Sequence, residues 1–484
     1  MKIQYALLLT GLTSSWSVSG ASNQCESARY KRRPRVFATT DISNEPDDQM
    51  SLVRFLTYTN EWNVQGISGA TSQHLEDKID TDTIHKVIDQ YAKVIDNLNT
   101  HVPSYAQYPD PAHLHNKTYR GHTVYGLEVL NLDTLSPAAE AFIAAVDNAT
   151  KADPVWFLCW GGCNILAESL NHVSKTRAND TDSFVEKVRV YSISDQDDSG
   201  AWMREQYPKL FYIVALHAFG EYTVAAWNGI SGELFRNYDI GGPPTELQTN
   251  EWLDEHIRVG ELGKVYPQFE FTMEGDTPSF LGLIQNGLGD PNRPDWGGWG
   301  GRNKLVDRSG RSQVYSTVAD YHPGADNRGY QSMFVPIWRW RRAFQHDFAA
   351  RMQWTINSNF TGANHNPVAV LNGTCGPEPY EVQYTFNNSV VLDASKSWDP
   401  DHDKLVFKWE HYREITMNLR RKIDPVSKNV TIEALNDEGS IVRVTPLANL
   451  KQDMHIILSV EDDHGMELTS YRRVILKRST AAAV

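Results

Sequence analysis

The stretch "TTDISNEPDDQMSLVRFL", Thr39 to Leu56, decides how this chain is read. It closes the apolar run of "RVFATTD", which has the composition of a strand. It opens "PDDQMSLVRFLTYT", where Met50, Leu52, Val53 and Leu56 fall on one broad helical face. Between the two it places Asp41, Glu45, Asp47 and Asp48 within eight residues. Carboxylates that close repel one another. A helix N-terminus offsets one or two of them, because Asp47 and Asp48 meet free N–H groups and the positive end of the dipole. It does not explain why Asp41, at the end of the strand, converges on the same point. A hard cation such as Ca2+ does, since it takes about six to eight oxygen ligands.

The strand-then-helix rhythm continues outward. "WNVQGISGAT" reads as a strand, Thr81 to Leu98 as a helix, "DPVWFLCWGG" as a buried strand and "NILAESLNHV" as a helix; "VRVYSISDQDD" and "FYIVALHAF" are further strands. This alternation predicts an α/β fold, a mostly parallel sheet with flanking helices, over about residues 34–360. Ligands bind such sheets beyond the carboxyl ends of the strands. The polar clusters Asp41 to Asp48, Thr71 to His74, Trp160 to Asn164 and Asp195 to Asp198 all fall there. After about Asn364 the helical patterns stop and short strands alternate with Asp, Gly and Asn turns, which predicts an all-β immunoglobulin-like sandwich over 365–484. Within it, "DASKSWDPDHDKLVFKW" resembles the signature of polycystic-kidney-disease-type domains. Asp399, Asp401 and Asp403 read either as a calcium turn or, more plainly, as an acidic hairpin.

A chain of 484 residues fits two or three domains, and a net charge of −14 argues against nucleic-acid and anionic-membrane surfaces as partners. Residues 1–21 read as a signal peptide, with Lys2 before the apolar run Tyr5 to Leu12 and small residues up to Ala21. No later stretch has the ~18 apolar residues of a membrane span. Sequons at Asn116, Asn148, Asn179, Asn359, Asn372, Asn387 and Asn429 agree with a secreted, extracellular glycoprotein. Four cysteines do not make a disulfide scaffold: Cys159 and Cys163 read as buried thiols, and a Cys25–Cys375 bridge stays open. The 14 Trp and 21 Tyr suit a carbohydrate-handling protein as well as an ordinary core.

The Thr-Asp-Ile-Ser-Asn-Glu-Pro-Asp-Asp loop resembles that of a nucleoside-hydrolase-like family often labelled cellulose-binding protein, within the inosine-uridine nucleoside hydrolase superfamily. The resemblance runs from about Arg35 to Trp354. It includes "WGGCNILAESL", "YSISDQDDSGAWMREQYP", "WNGISGE" and "EGDTPSFLGLIQNGLGDPNRPDWGGWGGR". It implies a Ca2+ cofactor held by Asp41, Asp48, the Trp160 carbonyl and Asp276. It also implies Asp41 as general base and Asp47 as the acid that meets sugar hydroxyls. A homodimer is the assembly it suggests.

Three departures qualify it. Read without a gap, the superfamily's base position is Ser43; Gly275 stands where many members carry a base-handling His; and "DQDDSGAW" replaces an Asn-rich ribose loop. A leaving sugar oxygen needs a carboxylic acid of raised pKa. Asp195, Asp197, Asp198, Glu221 and Glu274 are the candidates, with His74 and His217 weaker. Asn44, Glu45 and Asn164 complete the substrate contacts. Trp296 and Trp299, spaced by glycines, either lay indole faces on a sugar or pack on their own core. Arg302 pairs with Asp295 or with a substrate carboxylate, and "IWRWRRAF" reads as a helix with a basic face. A calcium-dependent hydrolase of glycosidic bonds with a carbohydrate substrate is the leading expectation. A nucleoside N-ribohydrolase and a non-catalytic cellulose-binding protein are the alternatives.

Overall fold

A computed structural model describes residues 25, 27–232, 239, 242, 244–268, 272–324, 328–386, 388–416, 429–447 and 452–479. The signal-peptide reading and Asn387 lie outside them. Eight strands form the main sheet: β1 (Arg35–Thr40), β2 (Asn63–Gly69), β3 (Thr118–Arg120), β4 (Val155–Cys159), β5 (Val188–Ser192), β6 (Phe211–Val214), β7 (Asn303–Leu305) and β8 (Val314–Thr317), in the order β3-β2-β1-β4-β5-β6-β8-β7. All neighbours are parallel except β7 and β8. The main covering helices are α1 (Pro46–Thr57), α2 (Thr81–Ala92), α3 (Pro137–Asp147), α4 (Asn164–Thr176), α5 (Ser199–Gln206) and α6 (Arg341–Ile356).

Strand β1 lies between β2 and β4, so the chain leaves it to one side and later returns to the other. That reversal opens a crevice at the carboxyl ends of β1 and β4, where such sheets bind ligands. Helix α1 opens after the Asp41 to Glu45 loop, where Pro46 sits in its first turn and Asp47 and Asp48 follow. The helix read over Thr81 to Leu98 is two: α2 ends at Ala92 and a short helix resumes at Ile95–Thr100. The break lets Tyr91, Val94 and Leu98 all be buried.

Beyond the sheet, β9 (Asp320–Pro323) and β10 (Gly329–Ser332) pair as an antiparallel hairpin. The C-terminal part holds β11 (Tyr380–Tyr384), β12 (Val390–Asp393), β13 (Leu405–His411), β14 (Val430–Ala434), β15 (Ile441–Pro446), β16 (Met454–Asp462) and β17 (Thr469–Arg478). They form a four-stranded sheet β11-β17-β16-β13 and a three-stranded sheet β12-β15-β14. Leu392, Val444, Ile456, Leu458 and Val474 fill the space between the two. Ile457 and Tyr471, alternate residues on the other face of β16 and β17, join the core of the α/β part instead.

That seam is polar as well as apolar. The Trp299 indole N–H donates to the Tyr471 hydroxyl at 3.3 Å, and the buried Arg473 guanidinium donates to the carbonyls of Leu288 and Gly297 at 2.6 and 3.0 Å. A Cys25–Cys375 disulfide ties the start of the described chain to the sandwich. Cys159 and Cys163 are not thiols: they form a second disulfide, because the Trp-Gly-Gly turn after β4 brings their Cα atoms to 5.6 Å. Disulfides belong to chains that mature in oxidising compartments. Of the arginines in "IWRWRRAF", Arg339 and Arg341 are internal and Arg342 is exposed beside Glu467. Arg341 donates to the carbonyls of Gly229 and Ile230, and Arg339 pairs with Asp320 and Glu410. Among the described residues no helix is long and apolar enough to cross a membrane.

Candidate active site

Asp41 leaves the end of β1 and is buried. The chain then turns through Ser43, whose φ of 82° is left-handed. This turn swings Ser43 outward, where its hydroxyl donates to Asp80 at 2.6 Å. Asp41 instead faces a cavity of about 130 Å³, shared with Asn44, Glu45, Asp47, Asp48 and Asp276. The rearranged loop therefore puts Asp41, not residue 43, among the acids.

Asp47, Asp48 and Asp276 each bring one carboxylate oxygen to within 4.8 Å of the others. Burial, foremost, pushes all of these acids up: Asp41 to about 6 and Asp47 to about 7, with Asp48 and Asp276 well above the usual carboxylate range. Mutual repulsion adds to it. Asp276 Oδ2 is buried and has no hydrogen-bond partner among the described residues. A buried set of carboxylates with an unpartnered oxygen fits a hard dication. Asp48 is fixed by the Thr40 hydroxyl, and Asp41 by the Ser72 hydroxyl, which donates to its Oδ2 at 2.5 Å.

Two glycines make the crowding sterically feasible. A Cβ at Gly161 would lie 2.7 Å from Asp41 Oδ1, and one at Gly275 would lie 2.7 Å from Asp47 Oδ2 and 3.1 Å from the Trp227 ring. The Trp160 carbonyl accepts the Gln196 side-chain amide at 2.6 Å, and its indole donates to Ser279. Tyr222, Trp227 and His74 complete the walls. The Trp227 indole donates to Ser194 at 3.0 Å, and Ser194 in turn bonds His217.

A sequence model described as the cellulose-binding Sde182 nucleoside hydrolase-like domain matches residues 35–303, and one described as the C-terminal domain of cellulose-binding protein Sde0182 matches 389–478. The chain belongs to this Sde182 family. A solved nucleoside hydrolase-related protein from Saccharophagus degradans, described as associated with carbohydrate metabolism, is 32% identical over 92% of this chain and all of its own, with a TM-score of 0.74. The PKD domain of the KIAA 1837 protein aligns with 22% of this chain and 88% of its own at 25% identity and a TM-score of 0.15, which supports no structural argument. No curated protein matches the chain.

Against the Sde182 frame, other expected contacts fall elsewhere. Glu274 is no substrate acid: it is fully buried in an ion pair with Arg54 and accepts the hydroxyls of Tyr266 and Thr277. Trp296 and Trp299 do not face the acids. Trp299 is 1% exposed under Tyr471, and Trp296 packs on His455 and Arg293. Arg302 pairs with buried Asp320, and Asp295 with Arg293. The Asn164 side-chain NH2 donates to Thr71 and the Val124 carbonyl, while its Oδ1 is buried with no partner among the described residues.

A second cavity, of about 380 Å³, is lined by Tyr125, Asp195, Asp197, Asp198, His217 and Phe219. Tyr222 of the acid pocket touches two of its residues: the hydroxyl donates to the Asp195 carbonyl at 2.9 Å and the ring meets His217 edge-on. Asp195 is paired with Arg204, and Asp198 accepts the Leu127 N–H. Asp197 holds Ser199 through Oδ1, while its buried Oδ2 has no partner among the described residues and burial pushes its pKa up to about 6. The sequence reading did not find Tyr222, Trp227 or Gln196. Glu221, next to Tyr222, and the "WNGISGE" and "SDQDD" stretches pointed near them.

Proposed function

We propose that the chain is a secreted, calcium-dependent hydrolase that cleaves glycosidic bonds in polysaccharide-derived glycosides. The observation that carries this reading is that Tyr222 of the acid pocket touches Asp195 and His217, which line a second, partly aromatic cavity, so that one sugar would sit in each. Asp47, Asp48 and Asp276 would hold the cation. Ca2+ there supplies Lewis acidity and makes a nearby water more acidic. Asp41, oriented by Ser72, takes the proton. Asp47, Asn44 and Glu45 meet sugar hydroxyls, and the rings of Trp227 and Tyr222 offer stacking faces. Asp197 is the proposed leaving-group acid, because Asp195 and Asp198 are already engaged and Asp197 Oδ2 is not. A single displacement of this kind inverts the anomeric centre.

A nucleoside fits less well. Position 275 has no side chain to protonate a leaving base, and the Trp227 ring fills the space one would need. Two disulfides and exposed sequons at Asn116, Asn148, Asn179, Asn359 and Asn372 support export and glycosylation. The family's description as cellulose-binding favours a second reading, a carbohydrate binder without catalysis. The test is a hydrolysis screen of the secreted protein with Ca2+ against oligosaccharides and nucleosides, with Asp48→Ala as control. Sugar release lost in the variant supports the proposal. Free base overturns it in favour of a nucleosidase, and silence with cellulose retention leaves the binder.

A further inference from the structure

The sandwich carries a second acidic convergence that the proposed hydrolysis does not use. In Asp399-Pro-Asp-His-Asp, the left-handed His402, with φ of 69°, folds the chain so that Asp399, Asp401 and Asp403 each place a carboxylate oxygen within 4.8 Å of the others. Asp399 is 5% exposed. Its Oδ1 accepts the N–H groups of Asp401 and Asp403 at 2.8 and 3.2 Å, but its Oδ2 is buried with no partner among the described residues. Asp403 Oδ2 is likewise buried and unpartnered among them. Among the described residues no lysine or arginine pairs with any of the three; the His365 ring nitrogen lies 3.0 Å from Asp401. Buried carboxylate oxygens are normally satisfied, and two orphans within one cluster ask for a shared positive partner.

We propose that Asp399, Asp401 and Asp403 bind a calcium ion, and that this ion fixes the segment joining the α/β part to the sandwich. The donors are hard carboxylates of flexible spacing, the set that Ca2+ accepts and that octahedral Mg2+ and nitrogen- or sulfur-seeking metals do not favour. The link to the joining segment is direct. Asp401 accepts both the backbone N–H and the ring Nδ1 of His365, at 2.7 and 3.0 Å. The His365 ring lies flat on Phe360, with centroids 3.8 Å apart, and stacks on Trp354 of α6. Trp398, next to Asp399, exchanges backbone hydrogen bonds with Val368 at 2.8 and 3.2 Å. An ion at the turn thus orders both ends of the connection.

The test is calcium calorimetry on the full-length protein, alone and as Asp48→Asn, Asp403→Asn and the double variant, with chymotryptic cleavage at Phe360 as second readout. Two equivalents are expected in the parent, one in each single variant and none in the double. Calcium is expected to slow cleavage at Phe360 at least tenfold in Asp48→Asn and not in Asp403→Asn. One equivalent abolished by Asp403→Asn and untouched by Asp48→Asn would support this site while refuting the one at Asp48. Unchanged stoichiometry in Asp403→Asn, or equal protection at Phe360, overturns it. Should Asp403→Asn fail to fold, Asp401→Asn carries the same expectations.

Discussion

Replacing Asp47 by asparagine should stabilise the metal-free protein at alkaline pH and leave it nearly unchanged in acid. Asp47 is buried, and burial followed by repulsion from Glu45 and Asp41 moves its pKa from 3.8 up to about 7. The folded state therefore keeps a proton that the unfolded chain releases between about pH 4 and pH 7. In the absence of a cation, stability falls as pH rises through that window and is level above it. A rise from 3.8 to about 7, at roughly 1.4 kcal/mol per unit, sets an upper value of about 4 kcal/mol. The amide introduced by Asp47→Asn does not titrate and escapes this loss. Urea unfolding in EGTA should give Asp47→Asn an advantage of about 2–4 kcal/mol at pH 8 and below about 1 kcal/mol at pH 4. In millimolar CaCl2 at pH 8 the order should reverse, because the variant lacks a ligand that binding would stabilise. An advantage in EGTA no larger at pH 8 than at pH 4 would mean that Asp47 is not held protonated by its burial.

Other substitutions probe separate contacts. Arg54→Met strips the buried Glu274 of its cation and should lower stability by about 3–5 kcal/mol in urea unfolding. Gly161→Ala drives a methyl to 2.7 Å from Asp41 Oδ1 and should cut hydrolysis by about 100-fold with a small change in melting temperature, read by paired kinetic and thermal assays. Trp227→Ala should weaken oligosaccharide binding in titration calorimetry by about 1–3 kcal/mol. Trp299→Ala should leave that affinity unchanged and lower stability instead, since Trp299 is packed under Tyr471.

What could be read from the sequence was local. The acids of Asp41 to Asp48 sit across one strand-to-helix turn, and their spacing alone pointed to the carboxylate cluster that Asp276 joins. The alternation of apolar runs and helical faces likewise carried the parallel sheet, and the short strands after Asn364 carried the sandwich. What could not be read depended on partners far along the chain. Glu274 looks like a site acid until Arg54, 220 residues away, is placed beside it. Trp299 looks like a sugar platform until Tyr471, 172 residues on, covers it. Ser43 holds the expected base position in the loop, but its left-handed φ turns it to Asp80 and gives the pocket to Asp41. The aromatic walls of the acid pocket come from Tyr222 and Trp227, in short helical turns without a periodic signal.

Whether Asp41 is the base of a glycosidic hydrolysis is decided by comparing the parent with Asp41→Asn at saturating Ca2+ on the best oligosaccharide from the screen. A base at Asp41 predicts a fall in kcat of about 10²–10⁴-fold, with KM and retention on cellulose little changed. Equal kcat in the two proteins would contradict it.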